Sequence, residues 1–237
     1  MLRLAKNRKK YKHFIAEGDK ICQEILKNNP EAIHAIYCLP EWLDANYTDL
    51  QLLQSLITEI TFQELKKISN LKTPNQVLLI VKQPTLVLDL SACTNNLTLL
   101  LDRIQDPGNM GTILRIADWF GIPRVICSPD CVDIYNPKVV QASMGAFLRV
   151  QTFIEDLPTF CKQFPKLPVY GAILNGANIH NTSLEPNAFI VIGNESRGIS
   201  ETLQNCLTHR IAIPCYGGAE SLNAAVATGI ICAFFRG

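Results

Sequence analysis

From Thr85 to its end the chain repeats one unit: an apolar strand, a glycine-containing loop and a helix. This alternation constrains the fold more than any other feature. The pattern predicts strands at 86–89, 97–101, 124–127, 169–173, 189–192 and 210–213. Helices are predicted near 112–120, 137–142, 157–163 and 200–206, with a last one from Ser221. Asn136 followed by Pro137 is a good N-cap with a first-turn proline. Nearly continuous apolar strands of this kind imply an α/β fold, a mostly parallel sheet with helices on both faces. Ligands of such sheets sit at the carboxyl ends of strands, so the chemistry belongs in the strand-to-helix loops.

Glycine marks a boundary. Residues 1–85 contain only Gly18, and the other twelve glycines follow. The expected division is a small α/β domain over 1–84 and a larger one over 85–237. In the first, Asp19 is placed to cap a helix ending near Asn28, and a strand is expected at 32–38. Thr61 and Glu64 have capping-box spacing ahead of Leu65 and Ile68, and 77–81 reads as a short buried strand. Nothing in this region suggests catalysis; it reads as a folding and substrate-docking module. Arg3, Lys6, Arg8, Lys9, Lys10 and Lys12 precede any acid. Such a basic arm is either a solvated tail or an RNA or phosphate contact.

The whole chain balances 22 Lys+Arg against 21 Asp+Glu, which excludes a wholly basic coat protein and an acidic disordered chain. Its longest apolar run, 224–235, falls short of the roughly 20 residues that span a bilayer. No apolar segment of a secretory signal follows the basic start. A soluble, cytoplasmic protein with no membrane partner is expected. Nine cysteines, an odd number at irregular spacing and with no C-x-x-C pair, read as reduced and mostly buried thiols. The four scattered histidines make no metal-ligand pattern with them, and no metal is expected.

Three loops carry the signal. The first runs Asp106-Pro107-Gly108-Asn109-Met110-Gly111 into a helix whose Ile113, Ile116, Ala117 and Phe120 share one face, leaving Arg115 pointing away from it. The second, Gly193-Asn194-Glu195-Ser196-Arg197-Gly198, follows a buried strand. It is neither a dinucleotide fingerprint nor a P-loop, which disfavours a nicotinamide cofactor or a nucleoside triphosphate. The third runs from Ile213 to Asn223, with Ser221 placed to cap the last helix. That helix has two apolar stripes: Leu222, Ala225, Val226, Gly229, Ile230 and Ala233, and Ala224, Ala227, Ile231 and Phe234. Both must be covered, one by the sheet and one by another subunit, with Ile231 expected on the latter.

Taken together, these segments resemble the SpoU (TrmH-type) RNA ribose 2′-O-methyltransferases of the SPOUT superfamily. The matching stretches are 106–121, 189–200 and 211–227, and the likeness spans 86–237. A weaker match, from Lys10 to Gly18, links the first part to the substrate-binding domain often found ahead of the catalytic one. Ser196 departs from the family, which usually has glycine there.

The resemblance implies a C-terminal trefoil knot, S-adenosylmethionine (S-adenosyl-L-methionine) as cofactor, and a homodimer through the C-terminal helix whose active site draws on both subunits. It places Gly193, Ile213 and Leu222 against the cofactor, largely through backbone atoms. It places Asn109, Arg115, Glu195, Ser221 and Asn223 in the active site. The substrate it implies is RNA, with rRNA ahead of tRNA. Family accounts give the position of Arg115 to the base, assisted by an RNA phosphate. Arginine keeps its proton in proteins, so its chemistry fits a bidentate clamp on that phosphate better. Two other readings stand beside this one: a base-nitrogen RNA methyltransferase of the same superfamily, and a non-catalytic RNA-binding module.

Overall fold

The computed structural model describes residues 2–237. It forms two compact units, one made of the residues up to Thr85 with Tyr135–Gly145, the other of Leu86–Ile134 with Ala146–Gly237.

The first unit runs α1 (Ala5–Tyr11), β1 (His13–Glu17), α2 (Asp19–Asn28), β2 (Ile33–Cys38), α3 (Pro40–Ala45), α4 (Tyr47–Leu50), β3 (Ile57–Glu59), α5 (Phe62–Ile68) and β4 (Val77–Lys82). Its sheet has the order β1-β4-β2-β3, with β4 antiparallel to both neighbours and β3 parallel to β2. Helix α2 buries Ile21, Cys22, Ile25 and Leu26, one face of a 3.6-residue period. Gly18, not Asp19, holds its N-cap position. Asp19 is the first helical residue, and its carboxylate accepts from the Trp42 indole at 2.7 Å. The capping box of α5 forms as the spacing predicts. Thr61 Oγ1 accepts from the Glu64 amide at 3.3 Å, and Glu64 answers at 2.8 Å, which holds its carboxyl below the usual range.

The basic arm is a folded element, not a tail. Arg8 is buried and donates to the Leu2 and Arg3 carbonyls, both at 2.8 Å, while Arg3 reaches the Ser69 carbonyl at 2.5 Å. Leu2 is buried beside Leu65 and Leu78. Lys6, Lys9, Lys10 and Lys12 stay exposed.

The second unit and its insertion run α6 (Leu90–Cys93), β5 (Thr98–Leu101), α7 (Pro107–Trp119), β6 (Arg124–Cys127), α8 (Pro137–Ser143), β7 (Gln151–Ile154), α9 (Leu157–Lys162), β8 (Val169–Asn178), β9 (Phe189–Ile192), α10 (Glu201–Gln204), β10 (His209–Ala212) and α11 (Ala224–Arg236). Six strands, all parallel, follow the order β10-β8-β9-β5-β6-β7. Every residue of β5 and β9 is buried, as a sheet covered on both faces requires. One core cluster packs Phe160, Phe164 and Phe189 in tilted and edge-to-face pairs with centroids 5.1–5.4 Å apart.

Four expectations need correction. Helix α8 has the predicted Asn136 cap but belongs to the first unit, packing on β1, where Tyr135 stacks on Phe14 at 4.9 Å. The stretch 86–89 is irregular, with Val87 86% exposed, whereas the edge strand β7 went unpredicted because its sequence, QTFI, is half polar. Strand β8 is longer than expected and leaves register with β10. Arg210 pairs with Gly171 but Ile211 with Ala177, so Ala172 to Gly176 form an excursion. Gly176 permits it, since a Cβ there would lie 2.6 Å from the Ile211 backbone. Finally, Ile231 is 1% exposed within a single chain, so the inward stripe of α11 is the one containing Ala224 and Ile231. Of the other stripe, Ala225 is buried as well, while Val226 and Ala233 face outward.

Candidate active site

In the second unit β5 adjoins both β6 and β9, so chain order reverses there, where such sheets open a crevice at their carboxyl ends. The loops after β5, β9 and β10 meet at that end.

Helix α7 starts five residues before the periodicity suggests. Asp106 caps it by accepting from the Asn109 amide at 2.8 Å, and Pro107 takes the first helical position. Asn109 therefore sits in the first turn, beside the loop after β9. Its side-chain amide donates to Glu195 at 2.5 Å, and its carbonyl oxygen accepts from the Asn223 amide at 2.8 Å. The other side-chain atom of Asn223 caps α11, accepting from the Ala225 and Val226 amides at 2.9 and 3.2 Å. Asn223 is thus the cap that the sequence assigned to Ser221, which lies exposed two residues earlier.

A cleft of about 1000 Å³ opens beside this chain of three side chains. Gly193, Glu195, Ile213, Ser221 and Leu222 line it, five of the eight residues expected at the site. Ile173 and Leu174 of the β8 excursion and Tyr216 also line it, without having been singled out. Gly193 has a strict reason to be glycine: a Cβ there would lie 2.4 Å from the Gly198 backbone. Arg115 is exposed and does not line the cleft. Six residues beyond Asn109, it lies about 9 Å along the helix and about 120° away from it. One chain brings Asn109, Glu195 and Asn223 together and leaves Arg115 apart.

Next to this end of the sheet, Cys131 has its thiol brought down to about 7, chiefly by the hydrogen bond from Cys127, with a further one from Ser128. All nine cysteines are free. Among the described residues there is no group of three or more His, Cys, Asp or Glu that could hold a metal, and no helix is long and apolar enough to cross a membrane.

Residues 96–233 match the SpoU rRNA Methylase family, and residues 1–79 match the MRM3-like substrate binding domain. The chain belongs to the SpoU rRNA methylase family. It is 28% identical over 239 residues to the 23S rRNA guanosine 2′-O-methyltransferase RlmP of Bacillus subtilis, covering 100% of this chain and 93% of that protein. Among solved structures, a TrmH-family protein from Porphyromonas gingivalis is 36% identical with a TM-score of 0.82, covering 99% of this chain and 94% of that one. An AdoMet-bound rRNA methyltransferase from Sinorhizobium meliloti is 25% identical with a TM-score of 0.86, covering 99% and 91%.

Proposed function

We propose that this protein transfers a methyl group from S-adenosylmethionine to a ribose 2′-hydroxyl of RNA, with rRNA the substrate. The observation that carries the reading is the hydrogen-bonded chain Glu195–Asn109–Asn223 on the rim of the cleft. It joins all three loops of the family match and belongs to neither a dinucleotide nor a triphosphate site.

The cleft fits the cofactor. Its volume suits a nucleoside-sized ligand, and Gly193 brings main chain where any side chain would collide. Gly193, Ile213 and Leu222 would hold it, largely through backbone atoms. Bound there, S-adenosylmethionine supplies a methyl group already made electrophilic by its sulfonium sulfur.

The protein's task is then to position the ribose and to manage charge on its 2′-oxygen. Glu195, fixed by Asn109, accepts a ribose hydroxyl or its proton. Asn223 locks Asn109 in the orientation that donates to Glu195, and Ser221 shapes the rim. Arg115 clamps the adjacent phosphate and stabilises negative charge developing on the 2′-oxygen.

Arg115 completes the site from a second subunit in this reading. Its separation from Asn109 within one chain supports a homodimer through α11 and α7. The two helices are packed together, and they leave Trp119 (84% exposed) and Val226 (51%) uncovered, with Leu222 (47%) exposed just ahead of α11. The first unit, with Lys6, Lys9, Lys10 and Lys12 exposed, serves as the RNA-docking domain. The trefoil knot is proposed from family membership, and a cytoplasmic setting from the nine free thiols.

The test is to map 2′-O-methyl groups on RNA from a strain lacking the gene, and then to restore them in vitro with purified protein. One site that vanishes and is restored supports the reading. An unchanged methylation map together with no transfer in vitro rejects it.

A further inference from the structure

Glu195 is held at its side chain by Asn109, but its main chain is held by something else. The loop 193–198 closes on itself: the Asn194 amide donates to the Gly198 carbonyl at 3.1 Å, and Gly198 returns the bond at 2.9 Å. Gly198 turns in the left-handed region at φ 64° to make this possible. Inside the loop, Asn194 Oδ1 accepts from the amides of Ser196 and Arg197 at 3.0 and 3.1 Å. Its Nδ2 donates out of the loop, to the carbonyl of Arg103 at 2.9 Å. The amide orientation is therefore fixed by its partners: two donors face the oxygen and one acceptor faces the nitrogen.

That acceptor is itself anchored. Arg103 directly follows the buried Asp102 at the end of β5 and adopts φ 57°, a conformation uncommon for a side chain of its size. Its amide donates to Ser128 Oγ at 2.9 Å, and its guanidinium reaches the Gly198 carbonyl at 3.3 Å. Asp102 accepts from the Ser200 amide at 2.6 Å, at the far end of the same loop. The end of β5 thus grips the Glu195 loop at three points, each spanning more than 90 positions of sequence.

We infer that Asn194 is the positioning residue for Glu195, tying its loop to the Arg103 carbonyl so that the carboxylate meets Asn109 at the rim of the cleft. This inference rests on the proposed methyl transfer for its catalytic consequence, but not for its structural one. A strained backbone turn kept beside a reacting group is where such rigidity is useful.

Asn194→Asp separates donor from acceptor. It keeps the oxygen that holds Ser196 and Arg197 but sets a carboxylate oxygen against the Arg103 carbonyl. When protonated, the same side chain can donate again. The variant's kcat relative to wild type should be down about tenfold or more at pH 8 and should climb as pH falls toward 5.5, with KM for RNA little changed. Asn194→Ala should be equally slow with no such climb. Wild-type kcat for Asn194→Asp at pH 8 would overturn the inference, as would a ratio flat with pH.

Amide hydrogen exchange in the full-length protein, without substrate, reads the anchor independently of activity. The Ser196 and Arg197 amides should exchange about tenfold faster or more in Asn194→Ala than in wild type. Equal exchange would overturn the anchor whatever the kinetics. A wild-type protein that transfers no methyl while showing the expected exchange difference would reject the proposed function and leave the anchor standing.

Discussion

Asn109 donates its side-chain amide to Glu195 at 2.5 Å although 86 positions separate them in the chain. The bond joins the first turn of α7 to the loop after β9, and Asn223 extends it to the start of α11 at 2.8 Å. Two hydrogen bonds through Asn109 therefore join three helix or loop termini, and they are the geometric core of the proposed active site.

Asn223 has two separable tasks. Asn223→Ala removes the cap of α11 and should cost about 1 kcal/mol, a fall of roughly 2–4 °C in Tm for a chain of this size. Asn223→Asp keeps a capping oxygen but loses the donor to Asn109, so thermal unfolding should match wild type while methyl transfer falls. Unfolding scans and initial rates on the two variants check this. Equal activity in wild type and Asn223→Asp would show that the bond to Asn109 does not matter.

Arg115→Lys should lose nearly all methyl transfer while cofactor affinity, measured by calorimetry, stays the same. Lysine keeps the charge but not the planar fork that grips a phosphate through two bonds. Full activity in the lysine variant would remove Arg115 from the site.

Val226→Glu places a charge on the outward stripe of α11, at a position 51% exposed in the single chain. Fold stability should change by no more than about 0.5 kcal/mol, yet the protein should sediment as a monomer without activity. Ile231→Glu is a different experiment: Ile231 is 1% exposed, so an unpaired charge there should unfold the chain. Wild-type protein that sediments as a monomer at every concentration would contradict the dimer.

The basic arm is best tested by charge and not by deletion, because Leu2 and Arg8 are buried and their removal would disturb the first unit. Replacing Lys6, Lys9 and Lys10 with Gln should weaken RNA binding. Each lost phosphate contact should lower the log–log salt slope by about 0.7 to 0.9. An unchanged slope would mean that these lysines do not touch RNA.

How far the sequence could be read depended on whether a signal was local. Strands β6 and β9 were placed at 124–127 and 189–192, where they are found, because apolar runs bounded by loops identify themselves. The capping box at Thr61 was legible for the same reason. What failed was set at long range. The apolar content of α11 could not say which stripe faces inward, so Ile231 was assigned to the wrong side. Asp106 and Asn223 are capping residue types, but periodicity points to a start near Thr112 for the one helix, and Ser221 offers a competing cap for the other. Asn194 lies in the second of the three loops, but its link to Arg103 exists only once β5 and β9 lie side by side.

The central claim, transfer to a ribose oxygen, is tested most directly by where the methyl group lands. Purified protein is incubated with rRNA and S-adenosylmethionine labelled in its methyl group, and the RNA is then hydrolysed in alkali. A methylated 2′-oxygen cannot attack its neighbouring phosphate, so that linkage survives. The account predicts label in alkali-resistant dinucleotides that yield a 2′-O-methyl nucleoside on enzymatic digestion. Label released with mononucleotides, carried on a base, would contradict it.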